Sequence, residues 1–119
     1  MQKVEKSVKS IEQNIKKSII EMLILKFINE SDKYGYQITQ EFKKRSNGKF
    51  SILEGSMYPI LYRLTDEKCI SSYEKKVGVR QTRIYYHIEE LGKERLFQMI
   101  EEYQATIKTV DSLLASNDT

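Results

Sequence analysis

The chain has no tryptophan, one cysteine, one proline, one histidine and five glycines among its 119 residues. A lone cysteine, Cys69, excludes an intrachain disulfide and makes a reducing cytosol the default setting. The lone histidine, His87, has no second soft ligand arranged beside it, so no metal site is expected. A Ser-His-Asp or Cys-His centre would have to use that same histidine, and no Gly-x-Ser-x-Gly motif occurs. The chain therefore reads as a non-enzyme without a cofactor. No stretch approaches roughly eighteen consecutive apolar residues, which argues against a membrane-spanning helix. The N-terminus alternates Lys and Glu with Val, unlike a secretory signal. Its basic character is a poor basis for binding an anionic membrane, because its apolar seam is short and lacks aromatic anchors.

Scarce glycine and proline, with 31% charged residues, predict one mainly helical domain. The net charge of +3 says less than its distribution. Residues 1–17 carry five Lys against two Glu, and residues 73–83 carry Lys75, Lys76, Arg80 and Arg83 against Glu74. Residues 89–114 run the other way, with six acidic and three basic side chains. Such segregation fits a basic face toward phosphates and a different surface for another task. For residues 1–17, solvated helix faces account for the charge equally well.

Val4, Val8, Ile11 and Ile15 step at helical spacing into the apolar run from Ile19 to Ile28, predicting a helix over 3–29 whose second half is core. Ser31 or Asp32 is positioned to cap a second helix over 34–46, with Ile38 and Phe42 inward. Ser46-Asn47-Gly48 is a stop signal, and Ser51-Ile52-Leu53 reads as a very short strand. A third helix over 55–67 turns Met57, Ile60, Leu61 and Leu64 inward. Pro59 is tolerated because it falls near the first turn. Two strands follow, 70–76 and 82–88, joined by a turn at 77–80. Period two assigns Ile84, Tyr86 and Ile88 to the helix side and Arg83, Tyr85 and His87 to the outside. A last helix over 89–115 repeats Leu96, Ile100, Tyr103, Ile107, Val110 and Leu114 as a heptad seam. About 27 residues make about 40 Å of helix, more than so small a domain covers. The seam is expected to meet a second copy, with Val8, Ile11 and Ile15 packing on the partner's long helix.

The order of helices followed by strand-turn-strand predicts a mainly α chain with a small β-hairpin. This is a winged helix-turn-helix domain over 1–88 with a dimerisation helix and short tail over 89–119. The outward side of the third helix offers Ser56, Tyr58, Pro59, Tyr62 and Arg63, chemistry suited to a DNA major groove. Arg63 is the favoured base or backbone contact, and Ser56 a phosphate ligand where helix amides point outward. Tyr62 reads either as a contact or as packing on its neighbour. Tyr58 either donates to a phosphate or braces the third helix against the second. Lys75, Lys76, Arg80, Gln81 and Arg83 complete the set on the hairpin, although edge lysines also discourage aggregation. A transcription regulator is the first reading; a coiled-coil adaptor using the fold as a scaffold is the rival.

The residues Tyr34-Gly35-Tyr36, Gly55-Ser56-Met57-Tyr58-Pro59, Leu61, Arg63-Leu64, Arg83, Tyr85-Tyr86 and Leu91-Gly92 resemble those of PadR-type bacterial transcriptional regulators. The small subfamily, with one winged domain and one C-terminal dimerisation helix, fits residues 15–115. The resemblance implies a homodimeric repressor on a palindromic operator in double-stranded DNA. It makes the third helix the recognition helix, adds Tyr34 to the DNA-facing residues, and makes Lys75 to Arg83 the wing. It also implies a cleft between long helices for a phenolic or other small aromatic effector, with Met99 and Tyr103 as lining residues here. Three features depart from the family: Cys69 where glycine is usual, a short wing with only Gly78, and no tryptophan to stack on a ligand.

Overall fold

An apolar run too dense for one surface stripe must be enclosed, and the first helix is. The computed structural model describes residues 19–115, and residues 19–30 form α1. Ile24, Leu25 and Ile28 are enclosed in it, with Met22 and Phe27 nearly so. The expected helix start at residue 3 and the seam through Val4, Val8, Ile11 and Ile15 lie outside the described residues. β1 (Lys33–Tyr34) and α2 (Gly35–Arg45) follow. Neither Ser31 nor Asp32 caps α2, contrary to expectation. The intervening β1 moves the cap position to Tyr34, whose backbone is extended at φ −93° and ψ 162°. Its N–H donates to Gln37 Oε1 at 3.4 Å. Ser31 Oγ instead accepts from Lys33 Nζ at 2.8 Å. Asp32 accepts from the Tyr73 hydroxyl at 2.7 Å and contacts His87 Nδ1 at 2.8 Å.

The stop signal ends α2 as read, with Asn47 and Gly48 both in the left-handed region and Gly48 N–H donating to Lys43 O at 2.8 Å. Residues 51–53 form no strand. A side chain holds that loop instead: Ser46 Oγ donates to Phe42 O at 2.7 Å and accepts from Phe50 N–H at 2.8 Å. The third strand of the sheet is β1, in the order β1-β3-β2.

α3 (Glu54–Asp66) encloses Met57, Leu61 and Leu64 completely. Pro59 sits in its second turn rather than its first, removing the bond that would reach the Gly55 carbonyl. Both residues are on the exposed side, where water can take that bond. The helix ends in paired bonds, Lys68 N–H to Thr65 O at 3.0 Å and Cys69 N–H to Leu64 O at 2.9 Å. This cap needs a left-handed residue, and Lys68 supplies it at φ 63°. Cys69 follows the cap with its side chain enclosed. Burial pushes the thiol pKa up. Because a side chain at positive φ costs about 1 kcal/mol, Lys68→Gly is expected to raise stability by about that much. Thermal unfolding should show a midpoint about 4 °C higher; a lower one would contradict the cap.

β2 (Ile70–Lys76) and β3 (Thr82–Ile88) pair antiparallel from Ile70↔Ile88 to Lys76↔Thr82. Lys33 of β1 lies opposite Tyr86. Ile70, Tyr86 and Ile88 are buried, but Ile84 is 50% exposed. The hairpin outreaches the helices beneath it, so period two places Ile84 on the inner face without anything to cover it.

α4 (Glu90–Ala115) starts against this core. Leu96, expected in the dimer seam, is 2% exposed and belongs to the protomer's own core. Met99 and Ile100 pack partly on that core, and every described residue from 101 onward is exposed. No helix among the described residues is long and apolar enough to cross a membrane.

Candidate nucleic-acid interface

The outward face of α3 carries Ser56, Pro59, Tyr62, Arg63 and Asp66, all exposed. Beside it lies a groove of about 550 Å³ between α3, the start of α2 and the wing. Tyr34, Tyr58, Tyr62, Gln81 and Arg83 all line it, so the fold gathers those five expected residues from three separate elements. Tyr36, Thr82, Ile84 and Tyr86 line it as well, and none of these was among the expected DNA-facing residues. Tyr36 belongs to the family-like run with no chemical role of its own, and alternation places Tyr86 on the core side.

Tyr58 is half-buried, and a Cβ on Gly35 would lie 2.3 Å from its hydroxyl oxygen. Glycine at position 35 thus lets α3 approach the first turn of α2, and Tyr58 braces the two. Ser56 departs from expectation in one respect. Its N–H already donates to Leu53 O at 3.0 Å, so only the hydroxyl is offered outward.

Arg63 is placed differently from a free reading head. Its guanidinium is hydrogen-bonded to Glu21 of α1 and lies 3.4 Å from Glu67, which also takes a bond from Arg95 of α4. The Glu21 hydrogen bond, with the charge of Glu67 adding to it, holds the Arg63 pKa up. The Arg95 hydrogen bond, with Arg63 adding to it, holds the Glu67 carboxyl below the usual carboxylate range.

The wing cations are in a different electrical state. Among the described residues none of Lys75, Lys76, Arg80 and Arg83 is in an ion pair, and all four are exposed. Two of them rest on aromatic rings instead. The Arg83 guanidinium carbon lies 4.3 Å from the Tyr34 ring centroid, and Lys75 Nζ 5.3 Å from that of Tyr85. Tyr34 meets Tyr85 edge-on at 5.4 Å, and Tyr85 stacks on Tyr73 at 5.7 Å. This three-strand row of tyrosines orients the cations while leaving their N–H groups for an anion. Asp32 anchors its far end: burial opposes the Asp32 charge, but hydrogen bonds to Tyr73 and His87 outweigh it and keep the carboxyl pKa low. Val77 N–H to Gln81 O at 3.0 Å closes the wing, leaving Val79 97% exposed at its tip.

A second concavity of about 510 Å³ lies between α1 and α4. Met99 and Tyr103, the expected effector residues, line it beside Ile19, Met22, Ile107 and Val110. Val8, Ile11 and Ile15, expected in the dimer interface, lie outside the described residues.

Residues 24–98 match the family model of the transcriptional regulator PadR-like family. A PadR-like transcriptional regulator from Bacillus cereus is 32% identical with a TM-score of 0.73, over 85% of this chain and 96% of that one. A PadR family transcriptional regulator from Eggerthella lenta has a TM-score of 0.87 over 98% of this chain and all of the other. At 21% identity, that likeness is one of fold. Bacillus subtilis PadR in complex with operator DNA is 27% identical with a TM-score of 0.64, over 69% of this chain and 46% of that larger one.

Proposed function

The chain belongs to the PadR-like family of transcriptional regulators, and from that premise we propose that it is a homodimeric, sequence-specific repressor of cytoplasmic DNA. A small aromatic ligand between α1 and α4 would govern its hold on a palindromic operator. The observation that carries the DNA reading is the row of four wing cations, without carboxylate partners among the described residues, next to the outward face of α3. An unpaired cation meets a phosphate without first breaking an ion pair, so its counterion exchange drives binding. Bacillus subtilis PadR, whose structure holds operator DNA, supports the same reading.

Two copies related by a two-fold axis would present their α3 helices to successive major grooves about 34 Å apart. Ser56, Pro59 and Tyr62 would face the groove, and Lys75, Lys76, Arg80, Gln81 and Arg83 the flanking backbone. Arg63 joins this interface by exchanging Glu21 for DNA. The exposed stripe of Tyr103, Ile107, Val110 and Leu114 would be covered by the second copy. Met99 and Tyr103 would wall the ligand cleft between α1 and α4.

Titrating salt against operator affinity tests the reading. With about eight phosphates contacted per dimer, log affinity should fall with log salt at a slope of about −7. Flat dependence would favour the rival, an adaptor that uses its helices to bind protein.

A further inference from the structure

We propose that the groove between α3 and the wing is a preformed seat for one phosphate of the DNA backbone, with the Tyr86 hydroxyl among its donors. The inference rests on the DNA-binding reading and deepens it. Tyr86 is 4% exposed, yet it lines the groove and its hydroxyl makes no hydrogen bond among the described residues. A buried hydroxyl without a partner weakens a fold, and phenylalanine would fill the same space without that cost. The oxygen is explained if a partner arrives from outside.

The surroundings define the partner. Tyr58 and Tyr62 belong to the same wall and lie close enough to act on Tyr86, Thr82 and Gln81 add neutral donors, and Arg83 supplies a positive charge. Among the described residues no carboxylate lines the groove. Burial first, then the neighbouring phenols of Tyr58 and Tyr62, push the Tyr86 pKa up, so it stays a protonated donor at neutral pH. Burial followed by Glu54 does the same for Tyr58. Several neutral donors around one guanidinium, in a groove that no carboxylate lines among the described residues, recognise a phosphate. The slot also lies where a strand must pass if α3 occupies a major groove and the wing flanks it.

The test is Tyr86→Phe, which removes one oxygen and keeps the ring, with Tyr58→Phe as a second variant. Affinity is measured on an operator duplex and on an unrelated duplex, with thermal unfolding alongside. Tyr86→Phe is expected to bind both duplexes about tenfold more weakly, because a phosphate contact carries no sequence information. Its melting temperature should be equal or higher. Unchanged affinity in both variants removes the seat while wild-type binding keeps the regulator reading intact. A wild-type protein that binds no duplex removes the regulator reading and the seat with it. Inorganic phosphate titrated into the DNA-free protein gives the remaining separation. Resonance shifts at Arg83 and the three tyrosines, with no loss on either duplex, would reassign the groove to a free phosphate ester and overturn the backbone assignment.

Discussion

Ile107→Glu is expected to convert the proposed dimer to a folded monomer. Ile107 is 43% exposed in the isolated protomer and lies on the stripe with Tyr103 and Val110. Across a two-fold axis each interface residue is used twice, so one substitution puts two carboxylates into the apolar stripe. At several kcal/mol for each unpaired charge, the dissociation constant should rise by about four orders of magnitude. Sedimentation at micromolar concentration should then find the monomer mass, with the circular dichroism of a folded domain. Operator affinity should collapse with it, since one α3 helix reads only a half-site. An intact dimer would show that the stripe is covered by something else. Leu96 is the contrasting position: it lies in the protomer core, so Leu96→Ala should lower the melting temperature rather than the dimer affinity.

Gly92→Ala is expected to be the most damaging small substitution in the domain. A Cβ at position 92 would lie 2.1 Å from the Cys69 carbonyl oxygen and 2.9 Å from Ile88 Cγ1. The nearest obstacle is backbone, and that carbonyl already accepts the Glu89 N–H at 2.9 Å. It cannot swing aside as the tip of a side chain would. Relief requires α4 to withdraw from the turn after α3, opening the packing around Leu96. A loss of about 3 kcal/mol, toward the upper end for overpacked sites, would lower the melting temperature by about 12 °C. Gly55→Ala provides the control, because nothing lies within 4 Å of a Cβ there. Equal melting temperatures for the two variants would contradict the close approach.

Elements with a strong internal period were legible from sequence, whereas features set by distant neighbours were not. β2 and β3 have the expected bounds, because β3 alternates and a glycine-bearing turn joins it to a partner run of equal length. α4 was legible for the same reason. Ile84 and Leu96 show the limit: a period names the face a residue is on, but not how far the neighbouring element extends to cover it. Leu96 continues the heptad toward the N-terminus, yet the body of the domain reaches it first. β1 has only two residues, and its existence depends on Tyr85 and Tyr86 some fifty positions later. Ser31 and Asp32 have good capping chemistry, but the competing partners of Asp32, Tyr73 and His87, come from β2 and β3, 41 and 55 positions later. The residues expected to face DNA on α3 and the wing are picked out by residue type. Their gathering around one groove, and the place of Tyr36 and Tyr86 in it, depended on how α2 docks.

The charged contacts running from Glu21 through Arg63 and Glu67 to Arg95 join three helices. They make the start of α4 a lever on α3. A molecule wedged between α1 and α4 would shift the two anchor points of that chain relative to one another, and Arg63 sits midway. The same side chain would then feel both occupancy of the cleft and the approach of a nucleic acid, so the two events would compete for one guanidinium. Information would pass between them by a change of ionic partner, with no refolding of any element.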